Sequence, residues 1–172
     1  MFRRVAVLLA VVALSGCSTF SDGDAIARVN DTELSPELLD DLTTVIGPQA
    51  DAVAGTGQNA DAVRALISEW IQVSVVTAHL AEWGVADTAA ARAAGGAAID
   101  ADPTLVDISD GARAYLLEAQ ALIVTFNQLP DPQASFEAAL AASDIVVDAR
   151  YGTFDPVFGV IPTAFVPPTG GF

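Results

Sequence analysis

The longest regular pattern of apolar positions lies in the middle of the chain. Val63, Leu66, Ile67, Trp70, Ile71, Val73, Val76, Leu80 and Trp83 recur at spacings of three and four, the period of one helix face. That predicts a central helix of roughly six turns. Asn59 or Asp61 can cap its start and Gly84 ends it. Around it lie shorter signals. Ser35-Pro36 has the N-cap residue and first-turn proline of a helix start, and Leu38, Leu39, Leu42, Val45 and Ile46 share one side of the helix that follows until Gly47-Pro48. The stretch from 87 to 99 is Ala-rich and interrupted by Gly95-Gly96, so it predicts a weak helix, broken at Asp102-Pro103. Ser109 caps the next helix, with Ala112, Tyr115, Leu116, Ala119, Leu122, Ile123 and Phe126 on its apolar face. Asp131-Pro132 opens a last short helix bearing Phe136, Ala139 and Leu140.

Two segments break this period. Ala25 to Val29 alternates and runs into Asn30-Asp31, a short strand entering a tight turn. Ile145 to Tyr151 is rich in β-branched residues and also reads as a strand. A lone strand leaves its backbone groups unpaired. Pairing Ile26–Val29 with Val146–Arg150 satisfies both strands, joins the two ends of the body and closes the helices into one unit. The expected fold is therefore mainly α, with about five helices and a small two-stranded sheet. From Gly152 on, Gly and Pro are frequent. Val160 to Phe172 cannot hold a stable helix, which leaves an unstructured tail or an extended strap over an apolar groove; Tyr151 and Phe154 should cover the end of the bundle, with Arg150 and Asp155 as an ion pair at the closing turn.

The amino-terminal residues have a different character. Arg3 and Arg4 precede an apolar run from Val5 to Leu14, of signal-peptide length and too short to span a bilayer as a helix. Leu14-Ser15-Gly16-Cys17 follows and resembles the lipobox of bacterial lipoproteins. The resemblance implies lipidation of the Cys17 thiol, cleavage before it, and export to the outer face of the membrane in the cell envelope. Several acyl chains on one residue hold a membrane far better than one. This divides the chain into a signal at 1–16, a lipidated cysteine and tether at 17–24, a helical domain at 25–156 and a Pro/Gly-rich tail at 157–172. Cys17 is the only cysteine, so packing alone must hold the core.

Composition narrows the function. The chain has no lysine and a formal net charge of −15, and removal of the signal would take two arginines with it. No basic patch is available to neutralise phosphates, which argues against nucleic-acid binding. His79 is the single histidine; mid-helix among apolar neighbours it reads as structural, and one histidine with one lipid-bearing cysteine does not make a zinc site. The carboxylates at Asp100, Asp102, Asp107 and Asp110 lack the spacing of a calcium loop, and Gly55-Thr56-Gly57 is not followed by a phosphate-binding lysine. No metal, cofactor or ATP is implied.

The opening "AIARVNDTELSPELLDDL" resembles the start of SurA-type periplasmic chaperones and PrsA-type lipoprotein foldases, with Asp31 where glycine is usual. The "DARYGTFDP" segment, Asp148 to Pro156, resembles the closing stretch of actinobacterial members of this SurA N-terminal-like group, with Ala149 and Phe154 as departures. Those foldases carry a parvulin-type isomerase domain between or after their last helices; here only residues 127–135 separate Phe126 from Phe136, too few to hold it. The resemblance implies the chaperone-like helical module without the isomerase: an ATP-independent, membrane-anchored binder of non-native or extended segments of exported proteins, not an enzyme. Trp70, Trp83, Tyr115 and Phe126 are the candidate client contacts. For the two tryptophans, thirteen residues apart on the long helix, a place in the core is the default. The alternative is a cell-envelope scaffold that docks one specific protein partner.

Overall fold

The computed structural model describes residues 25–54, 60–84, 89–105 and 107–162. The chain opens with a hairpin, β1 (Ala27–Val29) and β2 (Thr32–Leu34), antiparallel with Val29 opposite Thr32. The two-residue connection works because Asn30 takes a left-handed φ of 53°, which asparagine tolerates better than most residues. Five helices follow: α1 (Pro36–Ala54), α2 (Ala60–His79), α3 (Ala89–Ala101), α4 (Asp110–Phe126) and α5 (Pro132–Ala142). A 3-10 turn at Pro103–Leu105 joins α3 to α4. The chain then forms β3 (Ile145–Val147) and a second hairpin, β4 (Thr153–Asp155) with β5 (Gly159–Ile161). The fold is mainly α, as the periodicity predicts.

The expected pairing of the two ends is present, but the second strand is shorter than the expected Val146–Arg150 span: it covers Ile145–Val147, and the chain turns at 149–150. β3 runs antiparallel to β1, with Ala27 opposite Val147 and Val29 opposite Ile145. The sheet has three strands in the order β2-β1-β3 rather than two, because the residues after Asn30-Asp31 fold back as β2. Beyond the ladder, Asn30 donates its N–H to the Asp144 carbonyl at 2.8 Å and accepts the Asp144 N–H on Oδ1 at 3.0 Å. Arg28 bonds the Asn30 carbonyl at 2.6 Å and the Asp144 carboxylate at 2.9 Å. Ile26, Ala27 and Val29 are buried beneath this seam.

Three helix starts follow their sequence signals. The Ser35, Ser109 and Asp131 side chains accept the N–H of Leu38, Ala112 and Ala134, each satisfying a donor that the first turn leaves unpaired. The helix ends are less legible. α1 continues through Gly47-Pro48 to Ala54, although a proline removes one i to i−4 hydrogen bond. α2 ends at His79, and the chain keeps turning to Gly84 at φ 63°. α3 is continuous across Gly95-Gly96. Its glycines serve packing: Gly95 is buried, and a Cβ there would lie 2.8 Å from Gln120 Oε1 on α4. Arg92–Glu118 and Arg113–Asp100 pairs, at 2.5 and 2.6 Å, bind the same two helices. Tertiary contact outweighs the low intrinsic propensity.

α2 is the axis of the domain. Ile67, Ile71 and Val75 are fully buried, and α1, α4, α5, β1 and β5 all pack on this helix. The second hairpin departs most from the sequence reading, which places the start of the tail at 157. Val160 is buried, and its N–H donates to Ser68 Oγ of α2 at 2.7 Å. Two residues close the hairpin. Asp155 Oδ1 accepts the N–H groups of Val157 and Phe158 at 2.8 and 3.0 Å. Gly152, at φ 136°, lets Ile161 approach so closely that a Cβ would stand 2.0 Å from its carbonyl oxygen. Arg150 reaches back to Asp148 rather than forward, with Nε and Nη2 at 2.8 and 2.6 Å from Oδ2. Tyr151 and Phe154 pack against the core beside this turn. Residues 163–172 lie outside the described residues, as do 1–24.

Two outcomes check this account. Gly152→Ala should destabilise the domain by about 2 kcal/mol or more, since both its backbone angle and its Cβ are excluded. Gly84→Ala, with open space at its Cβ, should cost only about 1 kcal/mol. Urea unfolding of the two variants measures the difference, and equal losses would contradict the close approach at Gly152. The second outcome concerns acid. Hydrogen bonds from the Arg150 side chain hold the Asp148 carboxyl below its usual range. A carboxyl with a depressed folded pKa stabilises above its unfolded value, near 4, and loses that contribution as pH falls through the folded one. The stability gap between the native chain and Asp148→Asn should therefore be full at neutral pH and close below about pH 4. A gap that is constant with pH would rule out this ionic role.

Candidate functional site: an apolar groove over α2

α4 and α5 both lie on α2, and between them a groove stays open. Its floor is Val73 and Val76 of α2 with Leu122 of α4; Ile123 and Phe126 form one wall and Phe136 of α5 the other. This hollow measures about 220 Å³. Phe136 also borders a second hollow of about 300 Å³, which runs along α2 past Ser68 and Glu69 to Phe154 and Gly159. A third, of about 550 Å³, opens between α5 and the tip of the β4–β5 hairpin, from Gln133 and Glu137 to Pro156 and Val157. The three adjoin around Phe136: the first and second also share Gln72, and the second and third share Leu140, Pro156 and Val157.

The rim of this groove carries exposed large apolar side chains. Ile123 is 65% exposed and Val157 81%, with Val124 and Phe158 also more than half exposed. Scattered single apolar residues on a surface need no explanation. Here Ile123 lines the first hollow, Val157 and Phe158 the second, so these three border the groove, whereas Val124 lines none of the three hollows. Helix periodicity puts Ile123 on an apolar face but cannot tell that the face is left uncovered. Val157 and Phe158 gave no periodic signal at all; only the hairpin turn projects them.

The candidate contacts read from sequence divide into two pairs. Trp70 is 3% exposed and belongs to the core, together with Tyr115. Burial, with the charge of Glu69 adding to it, holds the Tyr115 phenol well above its ordinary pKa, so it stays neutral. These two rings line a separate hollow beside β2, which Thr32 and Glu33 border. Trp83 and Phe126 are half-buried and stand at the end of the main groove. Trp83 meets Phe126 at 6.4 Å, and Phe126 meets Phe136 edge-on at 6.2 Å, within the range of favourable ring pairs. The aromatic row thus leads directly into the groove wall.

His79 anchors this row. Its ring stacks on Trp83 at 6.1 Å, Nδ1 lies 2.9 Å from Glu82 Oε2 and Nε2 lies 3.4 Å from Ser143 Oγ. Serine, histidine and carboxylate stand in the order of a hydrolytic triad. The surroundings oppose that chemistry. Ser143 is the C-cap of α5 and its hydroxyl donates to the Ala139 carbonyl at 2.8 Å. The nearby N–H groups of Ser143 and Asp144 are engaged by Leu140 O and Asn30 Oδ1. A helix C-terminus carries partial negative charge, where an oxyanion requires donors. His79 acts as a strut joining α2, its trailing turn and α5, in keeping with its structural reading from sequence. Among the described residues no group of three His, Cys, Asp or Glu side chains could hold a metal ion, and no helix is long and apolar enough to cross a membrane. Cys17 lies outside the described residues.

Comparison of the chain with protein-family models, with curated proteins and with solved structures finds no match. The groove, read from its own residues, is therefore the basis for function.

Proposed function

We propose that this domain holds extended or non-native apolar segments of exported proteins, without ATP, while tethered to the membrane through Cys17. The observation that carries the reading is the set of adjoining hollows around Phe136 with exposed apolar side chains at Ile123 and Val157. A groove that wide, lined by short aliphatic and aromatic side chains, suits chains that present apolar residues in no fixed order. Adaptable apolar surfaces discriminate weakly between clients, so binding is broad and reversible. Phe126 and Trp83 contribute at one end; Trp70 and Tyr115 belong to the core and line a separate hollow, so they are not client contacts of this groove. The pairing of β1 with β3 and the Asp148–Pro156 closing segment support the likeness to the SurA N-terminal-like group. The lipobox-like Leu14–Cys17 segment supports export and anchoring.

The test of the groove is aggregation of two unrelated unfolded proteins in the presence of the purified chain. Suppression of both at modest molar excess is expected, and Ile123→Asp with Val157→Asp should abolish it while leaving the melting temperature nearly unchanged, since both side chains are exposed. Failure with both substrates would end the holdase reading, and one tightly co-purifying envelope protein would replace it with a scaffold. The anchor is tested separately: Cys17→Ser should move the chain out of the membrane fraction and abolish incorporation of a labelled fatty acid. Fatty-acid labelling that persists in that variant would overturn the lipidation of Cys17.

A further inference from the structure

The charges around the groove are of one sign. Each of the five arginines in the described residues already faces a carboxylate: Arg28 with Asp144, Arg64 with Asp61, Arg92 with Glu118, Arg113 with Asp100 and Arg150 with Asp148. The chain as a whole retains a net charge of −15, so the excess resides in carboxylates beyond these pairs. The groove follows the same pattern. Glu69 borders its central hollow and Glu137 the one beside the hairpin, both exposed, and no arginine lines any of the three hollows. Glu137 keeps one neutral partner, Gln133 Nε2 at 3.0 Å. The only charged groups lining the three hollows are thus Glu69 and Glu137, beside the neutral Ser68, Gln72 and Gln133, while the first hollow has no charged lining; the face offered to a partner is apolar with an anionic border along its second and third parts.

From this complementarity we infer that the groove selects apolar segments flanked by lysine or arginine and rejects those flanked by acidic residues. The inference rests on the groove reading above and specifies its client class. The physical basis is twofold. A cation at the end of a bound apolar segment meets Glu69 or Glu137 at the border, where an exposed pair gives a modest gain and a like-charge pair a comparable loss. The surrounding negative field adds attraction during encounter, which raises the association rate for cationic partners and lowers it for anionic ones. Burial in the groove supplies the affinity; the border charges supply the choice.

The experiment measures binding of three short peptides that share one central apolar stretch and differ only in their flanks, lysine, serine or glutamate. Each carries an uncharged dye, and fluorescence anisotropy is read with the full chain. The lysine-flanked peptide should bind roughly tenfold more tightly than the glutamate-flanked one, with serine between them. The ratio should shrink towards one at roughly 1 M salt, where charges reach only about 3 Å. Glu69→Gln with Glu137→Gln should narrow it at low salt. Equal binding of all three peptides would overturn the inference and leave the groove reading intact. Absence of binding by any of them would overturn the groove reading itself, and this inference with it. A ratio that survives high salt, or that is untouched in the double variant, would place the selectivity outside the border carboxylates and also overturn it.

Discussion

The structure depends on the antiparallel pairing of β1 with β3. These strands stand at opposite ends of the domain in sequence and have three residues each, too few to persist alone. Their union is reinforced at one corner, where Asn30, Arg28 and Asp144 exchange four hydrogen bonds. Every helix lies between the two strands along the chain, so closing the seam closes one loop that contains the whole helical body. Such closure carries an entropic cost that grows only slowly with loop length. The burial of Ile26, Ala27 and Val29 against α2 and its neighbours offsets it. The fold therefore has no disulfide to rely on in its described part and no need of one.

Once the seam is closed, the connection between α4 and α5 decides where the surface stays open. Residues 127–131 turn the chain, and α5 begins at once under its Asp131 cap. Both helices reach α2, but the channel between them remains, floored by Val73, Val76 and Leu122. The second hairpin borders the adjoining hollows. It is fixed by the Ser68 hydroxyl under Val160 and by the close contact of Gly152 with Ile161. The groove is thus an outcome of where its neighbours stop, and its aromatic end is held by the His79 contacts to Glu82 and Ser143.

Charge plays two roles here. Five arginines are committed to ion pairs, two of which join α3 to α4 across the surface. Exposed pairs of this kind add little stability singly, yet they use up the cations of the described part. What remains is an acidic exterior that favours solubility despite a composition 52% hydrophobic. The same acidity borders the groove, at Glu69 and Glu137.

The sequence by itself determined the local decisions. Ser35, Ser109 and Asp131 mark helix starts because a short polar side chain next to an unpaired N–H acts within one turn. The three- and four-residue spacing from Val63 onward fixes α2 because periodicity is a property of neighbours. The alternating Ile26–Val29 and the β-branched Ile145–Val147 segments needed partners, and pairing the two with each other was the economical solution the sequence offered. The tertiary structure decided the rest. α1 passes Pro48 and α3 passes Gly95-Gly96, although local propensity breaks both; α3 is held by its packing on α4 and the two ion pairs between them. β5 forms in a Gly- and Pro-containing stretch because Ser68 and α2 supply what the segment lacks. Trp70 and Trp83 share a helix and a residue type, yet one is core and the other stands at the groove. Which apolar face is covered depends on where other elements stop, and no local pattern contains that information.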